Sequence, residues 1–258
     1  MAVPAVRPVR VPRHDGDPYD PRMRRPLLPA ALVLLALAAA PPALATGPTT
    51  HVWTGGDQTD SSNWTKAQNW DDNQVPQDFD AVIIAGRYRV DHVPDDKTFT
   101  SVTLSGGAVL SLGATETPHG PLQAVNLTLD CADLDRVDAS TTGLTSVLGG
   151  RLFDATITVP SGSVFGMVVR HEVPVVESGC ADFPDQEGTL LLQFSSHLVV
   201  DGLLHGDGSI EGGTGVPDLT LSRSGTIGAG SEQLTLNNLT ATLSGAIAGT
   251  GVRIAGHG

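Results

Sequence analysis

The sequence predicts an all-β chain wound as a single-stranded parallel β-helix, or solenoid. Three observations carry that prediction. First, a pattern recurs: Leu219-Thr220-Leu221 followed by Ser224-Gly225-Thr226-Ile227 returns 20 residues later as Leu239-Thr240-Ala241 followed by Ser244-Gly245-Ala246-Ile247. A period near 20 in short β units is what stacked coils produce. Second, apolar residues alternate with small or polar ones in runs of three to six, separated by Gly, Ser, Pro or Asp, which is the texture of short strands joined by turns. Third, aromatics make up 4% of the chain while Gly numbers 30, so the core must be built from Val, Leu, Ile and Ala. Thin, repetitive packing suits such residues. The alternative is an antiparallel β-sandwich with a strand every 8–12 residues, which has no need of an in-register repeat.

The first 45 residues read as an export signal segment. Arg24-Arg25 is a short basic region, Leu27 through Ala40 is apolar, and Ala43-Leu44-Ala45 is an A-x-A cleavage site before Thr46. The apolar stretch is shorter than the roughly 20 residues of a membrane-spanning helix, and no Cys follows it for lipid attachment. Residues 1–22 carry Asp15, Asp17 and Asp20, unsuited to a signal's basic start, so Met23 is the expected natural start. Removing residues 1–45 removes six Arg and three Asp. The remainder has 9 Lys+Arg against 25 Asp+Glu, and 9 − 25 = −16. That charge repels nucleic acid and anionic membrane surfaces. The chain is therefore expected to be secreted, with no stable membrane anchor after processing and no nucleic-acid partner.

Residues 46–97 read as a Trp-rich capping module. They hold all three tryptophans, in the series Val52-Trp53-Thr54-Gly55-Gly56, Asn63-Trp64, Asn69-Trp70, Pro76 and Asp80-Ala81-Val82-Ile83-Ile84. The last run is β-branched, short and preceded by turn residues, and predicts a buried strand. This series resembles the opening of exported bacterial parallel β-helix proteins of the autotransporter-passenger and adhesin kind, in which such a module runs directly into β coils. By residues the resemblance spans 52–84. It implies a surface or secreted protein with an adhesin-like or structural role, and it does not name a ligand, because the architecture hosts many functions.

Residues 98–258 are expected to form the coils. Ser101–Leu104, Ala108–Leu112, Val125–Leu129, Thr156–Val159 and Val164–Val169 read as strands. Asp130–Gly143 and His171–Gly188, acidic or Pro-bearing, read as projecting loops, with a short helical turn tolerable at Cys131–Val137. Leu219 is expected to stack on Leu239, and Ile227 on Ile247. The pattern stops in mid-repeat at Gly256-His257-Gly258, which suggests a truncated product or a partner over that end. Cys131 and Cys180 lie in an exported chain, where a disulfide is permitted. They are 180 − 131 = 49 residues apart, about two coils, or roughly 9.6 Å along the axis, beyond disulfide reach unless one of the two loops is an excursion within one coil; since exported chains rarely leave two thiols free, the bridge is the expectation.

Three groups of residues are candidates for chemistry. Trp53, Trp64 and Trp70 suit either a sugar-stacking surface or an apolar plug over the first coil. Asp71, Asp72, Asp78 and Asp80, with Asn73, form an oxygen-rich cluster that suits either Ca²⁺, which takes six to eight oxygens, or turn formation; the spacing matches no EF-hand. Asp130, Asp133 and Asp135, beside Arg136, are the best carboxylate cluster for glycoside cleavage, and suit a solvated loop equally. His171-Glu172 lacks the second His of a zinc-protease helix and no G-x-S-x-G elbow occurs. No catalytic set is assigned. Three functions remain open: a non-enzymatic surface protein contacting glycans or envelope components, a carbohydrate-active lyase or hydrolase, and a carbohydrate-binding module. An enzyme would show a groove lined by two or more carboxylates and a basic residue from different coils; a binding module would show its tryptophans exposed.

Overall fold

The structure is a computed structural model, and it describes residues 47–94, 96–111, 121–168, 188–228, 234–248 and 252–255. The first unit of the chain, Met1–Leu44, and therefore the signal segment, lies outside them. The described strands are, through the first half, β1 (Thr50–Val52), β2 (Ala81–Ala85), β3 (Arg89–Val90), β4 (Thr98–Ser105), β5 (Val109–Ser111), β6 (Leu122–Asp135), β7 (Ala139–Thr141), β8 (Leu144–Phe153), β9 (Thr156–Val159) and β10 (Val164–Met167). The second half adds β11 (Thr189–Phe194), β12 (His197–Val200), β13 (Leu203–Gly206), β14 (Gly208–Gly215), β15 (Asp218–Leu221), β16 (Thr226–Gly228), β17 (Leu234–Asn237), β18 (Thr240–Leu243), β19 (Ala246–Ala248) and β20 (Val252–Ala255). The only described helical element is the 3₁₀ turn Ala67–Asn69.

Every ladder between these strands is parallel, so the chain is a β-solenoid and not a sandwich. Three faces wind about one axis. The first face stacks β1, β2, the middle of β4 and β6, the start of β8, then β10, β13, β16 and β19. The second stacks β3, β5, the ends of β6 and β8, then β11, β14, β17 and β20. The third stacks the start of β6 on β7, β9, β12, β15 and β18.

The alternation rule sets which side chains go in, since successive residues of a strand point to opposite faces. On the first face one inward column runs Val82, Val102, Leu127, Thr145, Phe165, Leu204, Ile227, Ile247, each paired with the next. Its members through Ile227 are fully or almost fully buried, and burying such a side chain is worth about 1.5–3 kcal/mol. Thr145, the polar member, exchanges a 2.7 Å hydrogen bond with buried Thr141. At the corner between the first and second faces backbones approach closely: a Cβ on Gly206, which has φ +110°, would lie 1.9 Å from the Met167 carbonyl oxygen, so only Gly fits.

Four expectations are corrected. Coiling begins at β1 and β2, not near residue 98, because the Ala81–Ala85 strand pairs in register with Ser101–Ser105. Asp130–Gly143 is not a loop and Cys131–Val137 is not a helical turn: β6 runs to Asp135 and β7 covers Ala139–Thr141. Asp133 and Asp135 are the outward half of a strand end whose inward half is Ala132 and Leu134, both fully buried. Leu219 stacks on Ala241, not Leu239, while Ile227 does stack on Ile247. The reason is a shortened turn: four residues, 222–225, separate Leu221 from Thr226, but only two, 244–245, separate Leu243 from Ala246. Residues 171–187, in the other stretch read as a loop, lie outside the described residues, as does Cys180. Cys131 is disulfide-bonded, and no cysteine among the described residues is free.

Candidate functional site

The tryptophans are not a surface. Trp53, Trp64 and Trp70 are 3%, 0% and 1% exposed. Trp53 and Trp64 each pack edge-on to Trp70 with ring centroids 4.9 Å apart, and Trp64 reaches Phe99 in β4 at 5.5 Å. The Trp70 indole N–H donates to the Trp64 carbonyl at 2.9 Å. This is an aromatic plug over the first coils, and no indole face is available to stack on a sugar.

The N-terminal aspartates do not converge on one point either. Asp71 accepts the Val52 N–H at 2.9 Å, and Asp78 accepts the Thr98 N–H at 2.9 Å. Asp80 accepts the N–H groups of Thr49 and Gln77. Asp72 accepts the Gln74 N–H. Buried His51 lies between the last two, Nδ1 3.0 Å from Asp72 and Nε2 3.0 Å from Asp80. Burial raises the Asp80 carboxyl, but the Gln77 N–H, His51 and the Thr49 N–H outweigh it and hold the group below its ordinary value. Among the described residues no three His, Cys, Asp or Glu side chains are grouped to hold a metal ion; these carboxylates cap turns and strand starts.

The candidate site lies on the second face, around part of the second carboxylate group. A cleft of about 380 Å³ is lined by Arg89, Val109, Asp133, Asp135, Arg136, Phe153, Asp154 and Phe194. The register explains their meeting: Arg89 pairs with Val109, Val109 with Asp133, Asp133 with Arg151, and Arg151 with Leu191. One outward column therefore carries Arg89, Val109, Asp133 and Arg151, and the neighbouring one carries Ser111, Asp135, Phe153 and Gln193. Asp130 sits at the irregular corner of β6, where the register shifts, and does not line the cleft.

The charges in the cleft are matched. Arg151 clamps Asp133 through two bonds, Nε to Oδ1 at 3.0 Å and an Nη to Oδ2 at 2.5 Å, a bidentate fork that fixes both groups. Asp133 also holds Arg151 in its charged form more firmly, against the opposing effect of burial. Arg89 donates to Asp135 at 2.7 Å and to Ser111 at 2.5 Å, and lies 3.2 Å from Asp91. Burial raises the Asp135 carboxyl, but the Arg89 hydrogen bond and charge, then the Arg136 charge and the Ser111 hydroxyl, bring it below the ordinary carboxylate value. Asp154 accepts the Ser195 N–H at 3.0 Å. An aromatic ledge closes one side: Phe153 and Phe194 have centroids 6.3 Å apart, and the Arg151 guanidinium lies 5.1 Å over Phe153.

Of the residues singled out from sequence, Asp133, Asp135 and Arg136 fall in this cleft. Arg89, Phe153, Asp154 and Phe194 were missed. The pairing offsets along the column are 20, 24, 18 and 40 residues (89 to 109, 133, 151 and 191), so no fixed period brings them together. The usable signal was Asp133-Leu134-Asp135, a polar-apolar-polar triplet that marks an outward strand face. No protein-family model, curated protein or solved structure matches the chain.

Proposed function

We propose that this is a secreted or cell-surface β-solenoid with a non-enzymatic, adhesin-like or structural role, in which the second-face cleft binds without transforming its ligand. The carrying observation is the state of the cleft carboxylates. Glycoside cleavage by a carboxyl pair needs one carboxyl kept protonated by its surroundings. Here Asp135 is pushed the opposite way by Arg89 and Arg136, and both oxygens of Asp133 are occupied by Arg151. The groove has the carboxylates and basic residues from different coils that an enzyme would need, but they serve each other. Export rests on the Arg24-Arg25, Leu27–Ala40 and Ala43-Leu44-Ala45 series, and bacterial origin on the resemblance at residues 52–84.

The test is turnover. Purified chain incubated with a panel of neutral and acidic polysaccharides should release no reducing ends and no unsaturated products. Turnover that disappears in Asp135→Asn or Asp133→Asn protein would overturn the reading. For the secreted product, N-terminal sequencing should return Thr46 as the first residue.

A further inference from the structure

The geometry points to a neutral oligosaccharide as the ligand of the second-face cleft, held by Phe194, Arg136 and Asp154 at the corner between the second and third faces. This rests on the reading of the cleft as a binding site and adds the ligand class and the residues that select it.

The first support is the corner itself. Arg136, Asp154 and Phe194 occupy it in successive coils: the Arg136 N–H donates to the Phe153 carbonyl, and the Asp154 N–H to the Gln193 carbonyl. All three have left-handed backbone, with φ of +59°, +47° and +58°. Asp tolerates that conformation, whereas it is costly for Arg and most costly for bulky Phe. One coil further on, opposite Phe194, the chain places Gly215 at φ +102°, the residue that adopts it freely. Two coils thus carry Arg and Phe at a corner where the next coil carries Gly, and both side chains line the cleft together with Asp154.

The second support is what these side chains leave free. Phe194 is 47% exposed, and it makes a tilted contact with Phe153 that leaves ring surface open to solvent. Arg136 touches Asp135 only through Nε, at 3.4 Å, so among the described residues its two terminal nitrogens have no partner. Asp154 has one oxygen on the Ser195 N–H and the other without a partner among the described residues. The free set is an apolar ring, a planar donor fork and an acceptor. A pyranose offers the complement: an apolar C–H face, and neighbouring hydroxyls that both accept and donate.

Charge selects among polymers. The lining carries Arg89 and Arg136 against Asp133, Asp135 and Asp154, and Arg151 stands behind Asp133. With Asp91 3.2 Å from Arg89, three cations face four anions, near balance, so a polyanion gains nothing from the cleft and a polycation little, and the chain's net charge of −13 further repels a polyanion. A peptide adding itself as a strand needs a free sheet edge. Here β6, β8, β11 and β14 pair with each other across the whole cleft, so their backbone groups are already used. From the Arg89 rung to the Phe194 rung are four strand spacings, about 19 Å at ~4.8 Å each, which suits a short oligosaccharide along the axis.

The experiment is calorimetric titration of the full chain with cellohexaose, laminarihexaose, xylohexaose and mannohexaose, beside a hexagalacturonate and a hexalysine. At least one neutral hexasaccharide should bind, and neither charged oligomer should bind more tightly. Phe194→Asn, which keeps a residue at ease with left-handed backbone, should weaken that binding tenfold or more, as should Arg136→Asn. Phe79→Ala, at an exposed Phe outside the cleft, should leave it unchanged. No binding by any neutral hexasaccharide, or binding that survives Phe194→Asn and Arg136→Asn with the fold intact by circular dichroism, would overturn the assignment. Mass analysis of the bound sugar keeps the two readings apart. A shortened sugar refutes the non-enzymatic role while leaving the site standing, and an absent sugar with no turnover refutes the site alone.

Discussion

The N-terminal coils and the coils after residue 196 share one winding but are held together differently. In the first, contacts that occur once do the work: Trp53, Trp64 and Trp70 interlock, His51 bridges to Asp72 and Asp80, and Asp71 and Asp78 cap distant backbone N–H groups. In the second, the same contact repeats. Leu198 stacks on Leu219 and Val200 on Leu221, while Leu204 stacks on Ile227. The repeats propagate a fold that the N-terminal module closes off. A solenoid exposes apolar area at an uncovered end, and at this end three tryptophans cover it.

That contrast predicts a graded set of losses. Trp64→Ala should cost about 3–5 kcal/mol, since the ring is fully buried against Trp70 and Phe99; urea unfolding followed by tryptophan fluorescence and circular dichroism should show the midpoint falling accordingly. If it costs under 1 kcal/mol, the plug does not hold the N-terminal end. Within the repeats, Ile227→Ala should cost about 2–5 kcal/mol, whereas Ile247→Ala, in the same column but 47% exposed, should cost about 1 kcal/mol. Equal losses would mean that the last described coil is covered in solution.

Asp80 tests the once-only polar contacts. Its folded carboxyl lies below the ordinary value, so its contribution is complete above the unfolded value of about 3.9 and is lost as pH falls through the lower folded value. Thermal melts from pH 6 to pH 2 should show Asp80→Asn less stable by about 1–2 kcal/mol at neutral pH and with a flatter acid limb. A parallel pair of curves would remove Asp80 from the acid response. The smallest effect belongs to the cleft rim: Arg89→Ala, at a half-exposed ion pair, should change stability by about 1 kcal/mol or less. A larger loss would make the rim a structural element rather than a binding surface.

How legible this was depended on repetition. The period near 20, the Ser-Gly turns and the Ile227–Ile247 pair could be read because the first-face step from Ile227 to Ile247 is 20 residues, the spacing at which the motif itself recurs. The Leu219 partner was misread by two residues because a turn had shortened, which leaves the motif in place and moves the strand. The cleft was half legible. Asp133, Asp135 and Arg136 sit on one strand and announce themselves. Arg89 lies 46 residues before Asp135, and Phe194 lies 40 residues after Asp154, so their meeting is set by coil lengths that no local pattern encodes. The acidity of residues 130–138 suggested a loop, yet Cys131, Ala132, Leu134 and Val137 there are buried in the core, and those apolar side chains are the more physical signal.

The account turns on the chain returning to the second face after residue 168, so that Phe153 and Gln193 stand side by side. Stacked strands lie about 4.8 Å apart, within the Cα separation a disulfide accepts. A Phe153→Cys/Gln193→Cys variant, oxidised under mild conditions and mapped by peptide mass, should form a 153–193 cross-link, as a Thr220→Cys/Thr242→Cys control on the third face should form its own. A control that cross-links beside a 153–193 pair that stays reduced would contradict the register and dissolve the cleft built on it.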